Sequence, residues 1–491
     1  MLRKIRIVAA LFCFVGITLL FLDFTGTIHA WLGWLAKIQF LPALLAVEVG
    51  IVAALVVLTL LFGRVYCSVL CPLGIMQDLF AWGGKRAKKN RYAYSPARSW
   101  LRWGLLVLFV VLLAAHVGSL SALLAPYSAY GRIAQNLLAP LWGWGNNALA
   151  YLAERADSYA FYTTEVWIRS WAAFGVAVFT LVVVGVLAWR NGRTWCNTVC
   201  PVGTILGFFA KYSLFRPVID TSRCNGCKLC ARNCKAACID AENHRIDYSR
   251  CVACMDCLDK CHKGAITYTL RREKTAAPEP VAADASRRRF LGVVGLLALS
   301  SARAQQKKVD GGLAAIADKK IPDRRTPLVP PGALGVRHFT THCTACQLCV
   351  AACPNGVLRP SSELSRLMKP EMSYERGYCR PECTKCSEVC PAGAIRPIDR
   401  ALKSSEQIGH AVWVRENCVP LTDGVKCGNC ARHCPTGAIA MISSDPDNPE
   451  APKIPAVNVE RCIGCGACEN LCPARPFSAI YVEGHEVHRT L

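Results

Sequence analysis

Thirty cysteines in a chain of 491 residues carry its chemistry, and most of them fall in quartets. Cys224, Cys227, Cys230 and Cys234 follow the spacing C-x2-C-x2-C-x3-C, as do Cys251, Cys254, Cys257 and Cys261. The spacing recurs at Cys343, Cys346, Cys349 and Cys353, and at Cys462, Cys465, Cys468 and Cys472. Two quartets depart at the first ligand: Cys379, Cys383, Cys386 and Cys390, then Cys418, Cys427, Cys430 and Cys434. Three thiolates on one tight loop can wrap three irons of a cubane, with the fourth supplied from elsewhere; where two clusters share a fold, the fourth cysteine of each run serves the other cluster. Structural zinc prefers separated C-x2-C pairs without a third cysteine two residues on. The spacing therefore predicts six [4Fe–4S] clusters. Quartets pair in chain order, first with second, third with fourth and fifth with sixth, which makes three dicluster lobes.

The other cysteines are Cys13, Cys238 and two C-x3-C-P pairs. The pairs sit in a repeated box, with Gly63-Arg64-Val65-Tyr66-Cys67-Ser68-Val69-Leu70-Cys71-Pro72-Leu73-Gly74 parallel to Gly192-Arg193-Thr194-Trp195-Cys196-Asn197-Thr198-Val199-Cys200-Pro201-Val202-Gly203. A spacing of four on a helix would put Cys67 and Cys71 on one face, and likewise Cys196 and Cys200. The four thiols could hold a metal or cluster, work as redox thiols, or merely cap and pack helices. Cys13 reads as a small apolar residue of the first helix.

Four apolar segments of about 20 residues reach membrane-spanning length: 5–22, 41–62, 101–120 and 171–189. Basic residues flank their inner ends (Arg3, Lys4, Arg6; Lys85, Arg86, Lys88, Lys89, Arg91; Arg190, Arg193), whereas 23–40 holds only Lys37. The positive-inside rule then places both ends of this unit in the cytoplasm, with Trp31, Trp34, Trp142, Trp144, Trp167 and Trp171 near the outer interface. Glu48 and His116 fall inside two of these segments, toward the outer leaflet. An ionisable group there is expensive, and the two could accept the protons a quinol releases on oxidation, or form a buried hydrogen bond between helices. The fold class is thus an α-helical membrane bundle of four transmembrane helices, residues 1–212, joined to α+β dicluster lobes at 213–270, 336–400 and 401–491. The stretch 271–335 reads as a linker carrying Ser286-Arg287-Arg288-Arg289-Phe290-Leu291, a short apolar run and Ala302-Arg303-Ala304. This order matches a twin-arginine export signal or anchor over 286–304.

The formal charge of +23 tempts toward nucleic acid. No basic stripe interleaved with aromatics supports that partner, and six clusters would lower the balance to roughly +11. C-x2-C-H, a strand-borne G-x-G-x-x-G, a P-loop and a hydrolytic triad are all missing from the sequence, so c-type haem, nicotinamide, flavin and ATP sites have no support there.

Each distal quartet ends in Cys-Pro (Pro354, Pro391, Pro435, Pro473), a pattern similar to bacterial ferredoxins, whereas the first lobe has Lys235 and His262 in those places. Residues 1–270, with four helices, two C-x3-C-P boxes and a dicluster lobe, resemble the NapH family of periplasmic nitrate reduction, and the membrane part of NosR is similar. Residues 286–491 resemble the NapG family and its relative MauM, so the whole looks like a natural H–G fusion. That resemblance implies a quinol dehydrogenase of the cytoplasmic membrane in anaerobic respiration. Its donor would be the membrane quinone pool, and its acceptor a periplasmic reductase or cytochrome, in complex with other respiratory subunits. The first lobe would be cytoplasmic and the distal tetracluster half periplasmic. Two other readings stay open: an accessory reductant that matures or protects a periplasmic metalloenzyme, and a conduit fed by a cytoplasmic donor.

Overall fold

The computed structural model describes residues 1–23, 26–87, 92–115, 118–271, 317–448 and 450–491. His116 and the segment 286–304 lie outside the described residues.

The N-terminal part is helical. Helix α1 (Leu2–Leu22) is followed by three short helices, α2 (Thr27–Leu32), α3 (Trp34–Lys37) and α4 (Phe40–Leu45), and then by α5 (Val49–Phe62). The first box contributes α6 (Val65–Val69) and α7 (Pro72–Arg86). Helices α8 (Ser99–Ala114), α9 (Gly118–Leu124) and α10 (Pro126–Ile133) lead into a π-helical turn at Ala134–Leu138 and then α11 (Ala139–Arg155). Pro140 lacks the amide that would close the α-helical bond to Asn136, which accounts for the wider turn at that point. Helix α12 (Trp171–Asn191), capped by Ser170 Oγ accepting from the Ala173 amide at 3.4 Å, is followed by α13 (Thr194–Thr198) and α14 (Pro201–Ala210).

Two of these helices, α1 and α12, are long and apolar enough to cross a membrane. Only 33% and 28% of their apolar windows are buried within the protein. Val8, Leu11, Phe12 and Val15 of α1 and Phe179, Val182 and Val186 of α12 face outward, while Ala10, Ile17, Ala173 and Ala177 face the interior. An exposed apolar surface on two helices of that length suits lipid better than water. The other two of the four expected spanning segments form shorter apolar helices among the described residues. The second apolar segment is broken at Ala46–Glu48, where Val47 has φ 58°, and only 14 residues continue as α5. The third continues for 16 residues as α8. Hydropathy sees only composition, so it runs through such a break.

Both apolar helices that precede a box end on a left-handed glycine, Gly63 (φ 72°) after α5 and Gly192 (φ 69°) after α12. Helices α7 and α14 both begin with proline, at Pro72 and Pro201. A proline bars its predecessor from helix, so Cys71 and Cys200 are extended. Cys67 and Cys71 are therefore not on one helix face as their spacing suggested: α6 ends at Val69 and the chain turns between the two cysteines. The same holds for Cys196 and Cys200 around the end of α13 at Thr198.

The proximal cysteine-rich region is held by β1 (Phe215–Ile219), β2 (Ile239–Asp240), β3 (Arg245–Ile246) and β4 (Ile266–Leu270), with β1 antiparallel to β4 and β2 to β3. The distal region has three antiparallel pairs: β5 (Leu358–Pro360) with β6 (Pro370–Met372), β7 (Glu406–Trp413) with β10 (Ile480–Thr490), and β8 (Ile439–Ser443) with β9 (Lys453–Val457).

These two regions sit at opposite ends of α1. At its start, Arg3 pairs with Asp256 (2.9 Å) and Asp259 (2.7 Å) of the proximal region. At its end, Phe21 packs beside Gly131, and a Cβ added at Gly131 would overlap the Cys346 carbonyl of the distal region. Twenty-one residues at 1.5 Å each separate the two by about 30 Å.

Candidate iron–sulfur sites and the cleft beside them

In four of the runs the cysteine loop has a distinctive backbone. Residues on both sides of the middle cysteine are left-handed: Gly226 and Lys228, Ala253 and Met255, Ala345 and Gln347, Gly464 and Gly466. Successive turns of this kind direct backbone N–H groups into a concavity that suits an anion. The departing quartets at Cys379 and Cys418 lack that double signature, in keeping with their displaced first cysteine.

The thiols group as alternating runs. Cys224, Cys227, Cys230 and Cys261 line one cavity. Cys251, Cys254 and Cys257 line another with Cys234 and Cys238. Cys379, Cys383 and Cys386 share a third cavity with Cys353. Cys349 feels the charges of Cys343, Cys346 and Cys390. Cys430 feels those of Cys418, Cys427 and Cys472, and Cys465 those of Cys462 and Cys434. Backbone amides donate to Cys343 Sγ (Ala345, 3.4 Å), Cys434 Sγ (Ala438, 3.2 Å) and Cys472 Sγ (Ala479, 3.3 Å). Burial pushes the Cys346 and Cys430 thiols up to about 11, so metal binding there would release protons. Four or five thiols around each of these cavities, with amides aimed at sulfur elsewhere in the quartets, fit an anionic iron–sulfur cluster.

Cys238 was not assigned by the spacing argument. It is 1% exposed, its Sγ lies 3.5 Å from Cys234 Sγ, and it also hydrogen-bonds Cys251. The clue in the sequence is its own C-x3-C step after Cys234.

Two of the four sites of the distal region meet where the Cys379 amide donates to the Cys465 carbonyl at 2.9 Å. The Cys343 site faces the helical bundle. Asn136 Nδ2 donates to Gln347 Oε1 at 2.8 Å, Arg169 donates to the Val350 carbonyl, and Tyr127 is near enough to Cys346 and Cys390 to feel their charge. Outside this contact, Trp167 is overlaid by Arg376 at 4.5 Å and Arg359 at 5.5 Å. A cleft of about 140 Å³ opens here between Phe21, the π-turn residues Gln135 and Asn136, Trp142, Glu165 and Ala351, the last lying between Cys349 and Cys353.

At the other end, an ion-pair network binds the proximal region to the bundle. Asp78 of α7 accepts Arg193 (2.7 Å), Arg6 (2.9 Å) and Lys235 (2.9 Å), and Lys235 also reaches Asp256 at 3.1 Å. Burial opposes ionisation of Asp78, but the three cations more than offset it and hold its carboxyl well below the usual range. Lys235 stands where the distal quartets carry proline, so that departure from the pattern serves docking.

The box cysteines Cys67, Cys71, Cys196 and Cys200 are all buried and close enough to influence one another. Glu48 is at the N-cap of α5 and exposed, not inside a helix as expected. Cys13 is buried on the inner face of α1.

Two segments, 45–90 and 171–220, match the family described as "4Fe-4S binding domain", and each contains one box. Segments 342–394 and 425–475 match the "4Fe-4S dicluster domain". The chain is 34% identical over 166 residues to the methylamine utilization ferredoxin-type protein MauM of Methylobacillus flagellatus, covering 33% of this chain and 70% of that protein. It is 33% identical over 178 residues to the ferredoxin-type protein NapG of Escherichia coli, covering 33% of this chain and 75% of NapG. It is 28% identical over 181 residues to NapF of the same organism, covering 36% of this chain and 99% of NapF. No solved structure matches. With its thiol-lined cavities and these two levels of similarity, the chain belongs to the ferredoxin-type iron–sulfur electron-transfer proteins of the NapG and MauM family.

Proposed function

We propose that this protein is a membrane-bound quinol dehydrogenase with six [4Fe–4S] sites that delivers electrons through its distal sites to an oxidoreductase outside the cytoplasmic membrane. The observation that carries the reading is the placement of thiol-lined cavities at both ends of α1, a helix about as long as a bilayer's hydrocarbon is thick. In this reading the proximal region faces the cytoplasm and the distal region faces the periplasm. Clusters bound in the cavities would supply one-electron acceptors and donors.

The chain's own residues do the rest. The cleft beside the π-turn offers an apolar and aromatic floor, Phe21 and Trp142, for a quinol ring, with Gln135 and Asn136 as polar partners. Buried Gln135 Oε1 has no hydrogen-bond partner, so it is free to accept from a ligand hydroxyl. Glu165, 79% exposed at the cleft, connects it to water and can take up a released proton. That role passes to Glu165 from Glu48, which lies away at the start of α5. Ala351 forms the wall between cleft and the Cys343–Cys390 cavity.

The test is anaerobic EPR on membranes containing the protein, before and after a reduced quinol is added. Reduced-cluster signals on quinol addition support the reading. Reduction only by a much stronger reductant overturns it and favours a conduit fed by another donor.

A further inference from the structure

A cavity of about 580 Å³ lies between α1, α7 and the proximal region, much larger than the cleft at the distal end. Its lining is graded. Along α1 it passes from Arg3 and Arg6 to Ile7, Ala10 and Leu11, a rise of about 12 Å. Along α7, Leu79 and Trp82 give way to Lys85 and Arg86. The proximal region closes the cavity with Asn233, Lys235, Asp256 and Lys260. Its apolar part is open to the outside: Ile7, Leu11, Leu79 and Trp82 are 41%, 55%, 50% and 64% exposed, and Val8 and Phe12 beside them on α1 face outward too.

Charge at this cavity is unbalanced. Six cations line it, against two carboxylates, Asp78 and Asp256. Both carboxylates are already engaged, Asp78 by Arg6, Arg193 and Lys235, and Asp256 by Arg3 and Lys235. Arg3 has a further partner in Asp259. Lys85, Arg86 and Lys260 meet no carboxylate among the described residues. Lys85 donates to the neutral Asn233 Oδ1, Arg86 lies 5.6 Å from the centre of the Trp82 ring, and Lys260 has no hydrogen-bond or ion-pair partner there. Burial, and then the charges of Lys260, Arg3 and Lys235, lower the pKa of Lys85 against the opposing pull of Asp256. Deeper in, Arg6 is 10% exposed and its buried Nε has no partner. Cations crowded in this way call for an anion, and lysine and arginine together are the residues that hold phosphate. A quinol ring is neutral and would answer none of this charge.

We propose that this cavity holds an anionic phospholipid, its phosphate bound by Lys85, Arg86 and Lys260 and one acyl chain laid along Ile7, Leu11, Leu79 and Trp82. Basic pockets beside membrane helices at the cytoplasmic face are where such headgroups bind, and an indole at the boundary between charge and hydrocarbon suits that depth. The lipid would touch the bundle and the proximal region at once, because Lys85 and Arg86 end α7 while Lys260 ends the short helix Asp256–Lys260 of the proximal region. It thereby adds a third party to the ion pairs around Asp78 and ties proximal attachment to the composition of the membrane. The assignment rests on the membrane reading of α1 and not on the identity of the electron donor.

The test uses the full chain in detergent, titrated with phosphatidylglycerol whose acyl chains carry bromine, with tryptophan fluorescence read for the unmodified protein and for Trp82→Phe. Saturable quenching that Trp82→Phe largely removes is expected. Lys85→Gln with Lys260→Gln should weaken binding about thirtyfold, at about 1 kcal/mol per lysine. Arg190→Gln with Lys211→Gln, at exposed basic residues outside the cavity, should leave it unchanged. Brominated phosphatidylcholine should bind far more weakly, and neither inorganic phosphate nor a soluble quinol should displace the phosphatidylglycerol. Should the lysine variant fail to accumulate, the comparison of the two lipids on the unmodified protein decides. Equal quenching by both lipids would overturn the site while leaving α1 in the membrane, and displacement by phosphate or by the quinol would overturn it in favour of that ligand. Quenching of Trp82 by neither lipid would overturn the site together with the reading of this face as lipid-facing.

Discussion

The proximal and distal cysteine regions hold similar thiol cavities but attach to the bundle in opposite ways. The proximal region is tied by charge: Asp78, Lys235, Asp256 and three arginines form one network, and its outer cavity, with Cys227 exposed, stays near solvent. The distal region is tied by close backbone approach at Gly131 and by amide contacts at Asn136, and the cavity it presents to the bundle contains the buried Cys346 and Cys349. The two attachments place different demands on sequence. A charge network tolerates a gap but not the loss of one partner, whereas a backbone contact tolerates no side chain at all. Burial and hydrogen bonding to sulfur set cluster potentials, so the Cys343 site and the Cys224 site should titrate apart.

Several substitutions would break or sharpen this contrast. The largest effect is expected at Cys349: Cys349→Ala should remove the site against the bundle and abolish quinol-driven reduction of the remaining distal sites, read as loss of EPR signal after quinol addition, while proximal signals persist on chemical reduction. Next is Gly131→Val, which overlaps the Cys346 carbonyl. It should leave iron content unchanged yet slow quinol-driven reduction of the distal sites at least tenfold, because misplacement by about 1 Å at a reacting junction can cost a hundredfold.

The charge-tied side is probed by Asp78→Asn. Removing the shared carboxylate leaves Arg6, Arg193 and Lys235 unanswered, a loss of about 3–5 kcal/mol for a buried pair broken on one side, visible as early protease cleavage of the proximal region. The pH dependence has a definite sign. A carboxyl held below its unfolded value of about 3.9 stabilises above that value, and the stabilisation fades as pH falls further toward the folded value. The unmodified protein should therefore lose proximal attachment as pH drops below about 4, and Asp78→Asn should flatten that slope. The smallest effect belongs to Arg376→Ala: its partner Glu165 is 79% exposed and 3.4 Å away, so the lost pair costs at most about 1 kcal/mol in thermal unfolding.

What could be read from residue order is what lies close along the chain. Quartet spacing anticipated the alternating groups that line each cavity, because the ligand loop is local and its fourth cysteine is displaced in a regular way. The duplicated box was legible for the same reason. The reach of Arg64 to the Cys196 carbonyl and of Arg193 to the Cys67 carbonyl was not, since it exists only when the two copies meet in space. The break at Val47 and Glu48 escaped a hydropathy reading, because one left-handed residue leaves composition unchanged. The π-turn at Ala134–Leu138 and the cleft it shapes depend on Pro140 acting within a continuous helix and on a distal loop packing against it. Lys235 could be seen to depart from the Cys-Pro pattern, but its partner Asp78, far away in sequence, gave the reason.

The central claim is that cysteine regions at the two ends of α1 lie on opposite faces of a membrane. One epitope placed after Leu491 and another in the turn at 241–244 between β2 and β3 would test it directly, with protease added to intact spheroplasts and then to lysed ones. Digestion of the Leu491 epitope in intact spheroplasts, with the turn epitope cut only after lysis, is the expected result. Both epitopes cut together, or both protected until lysis, would contradict it.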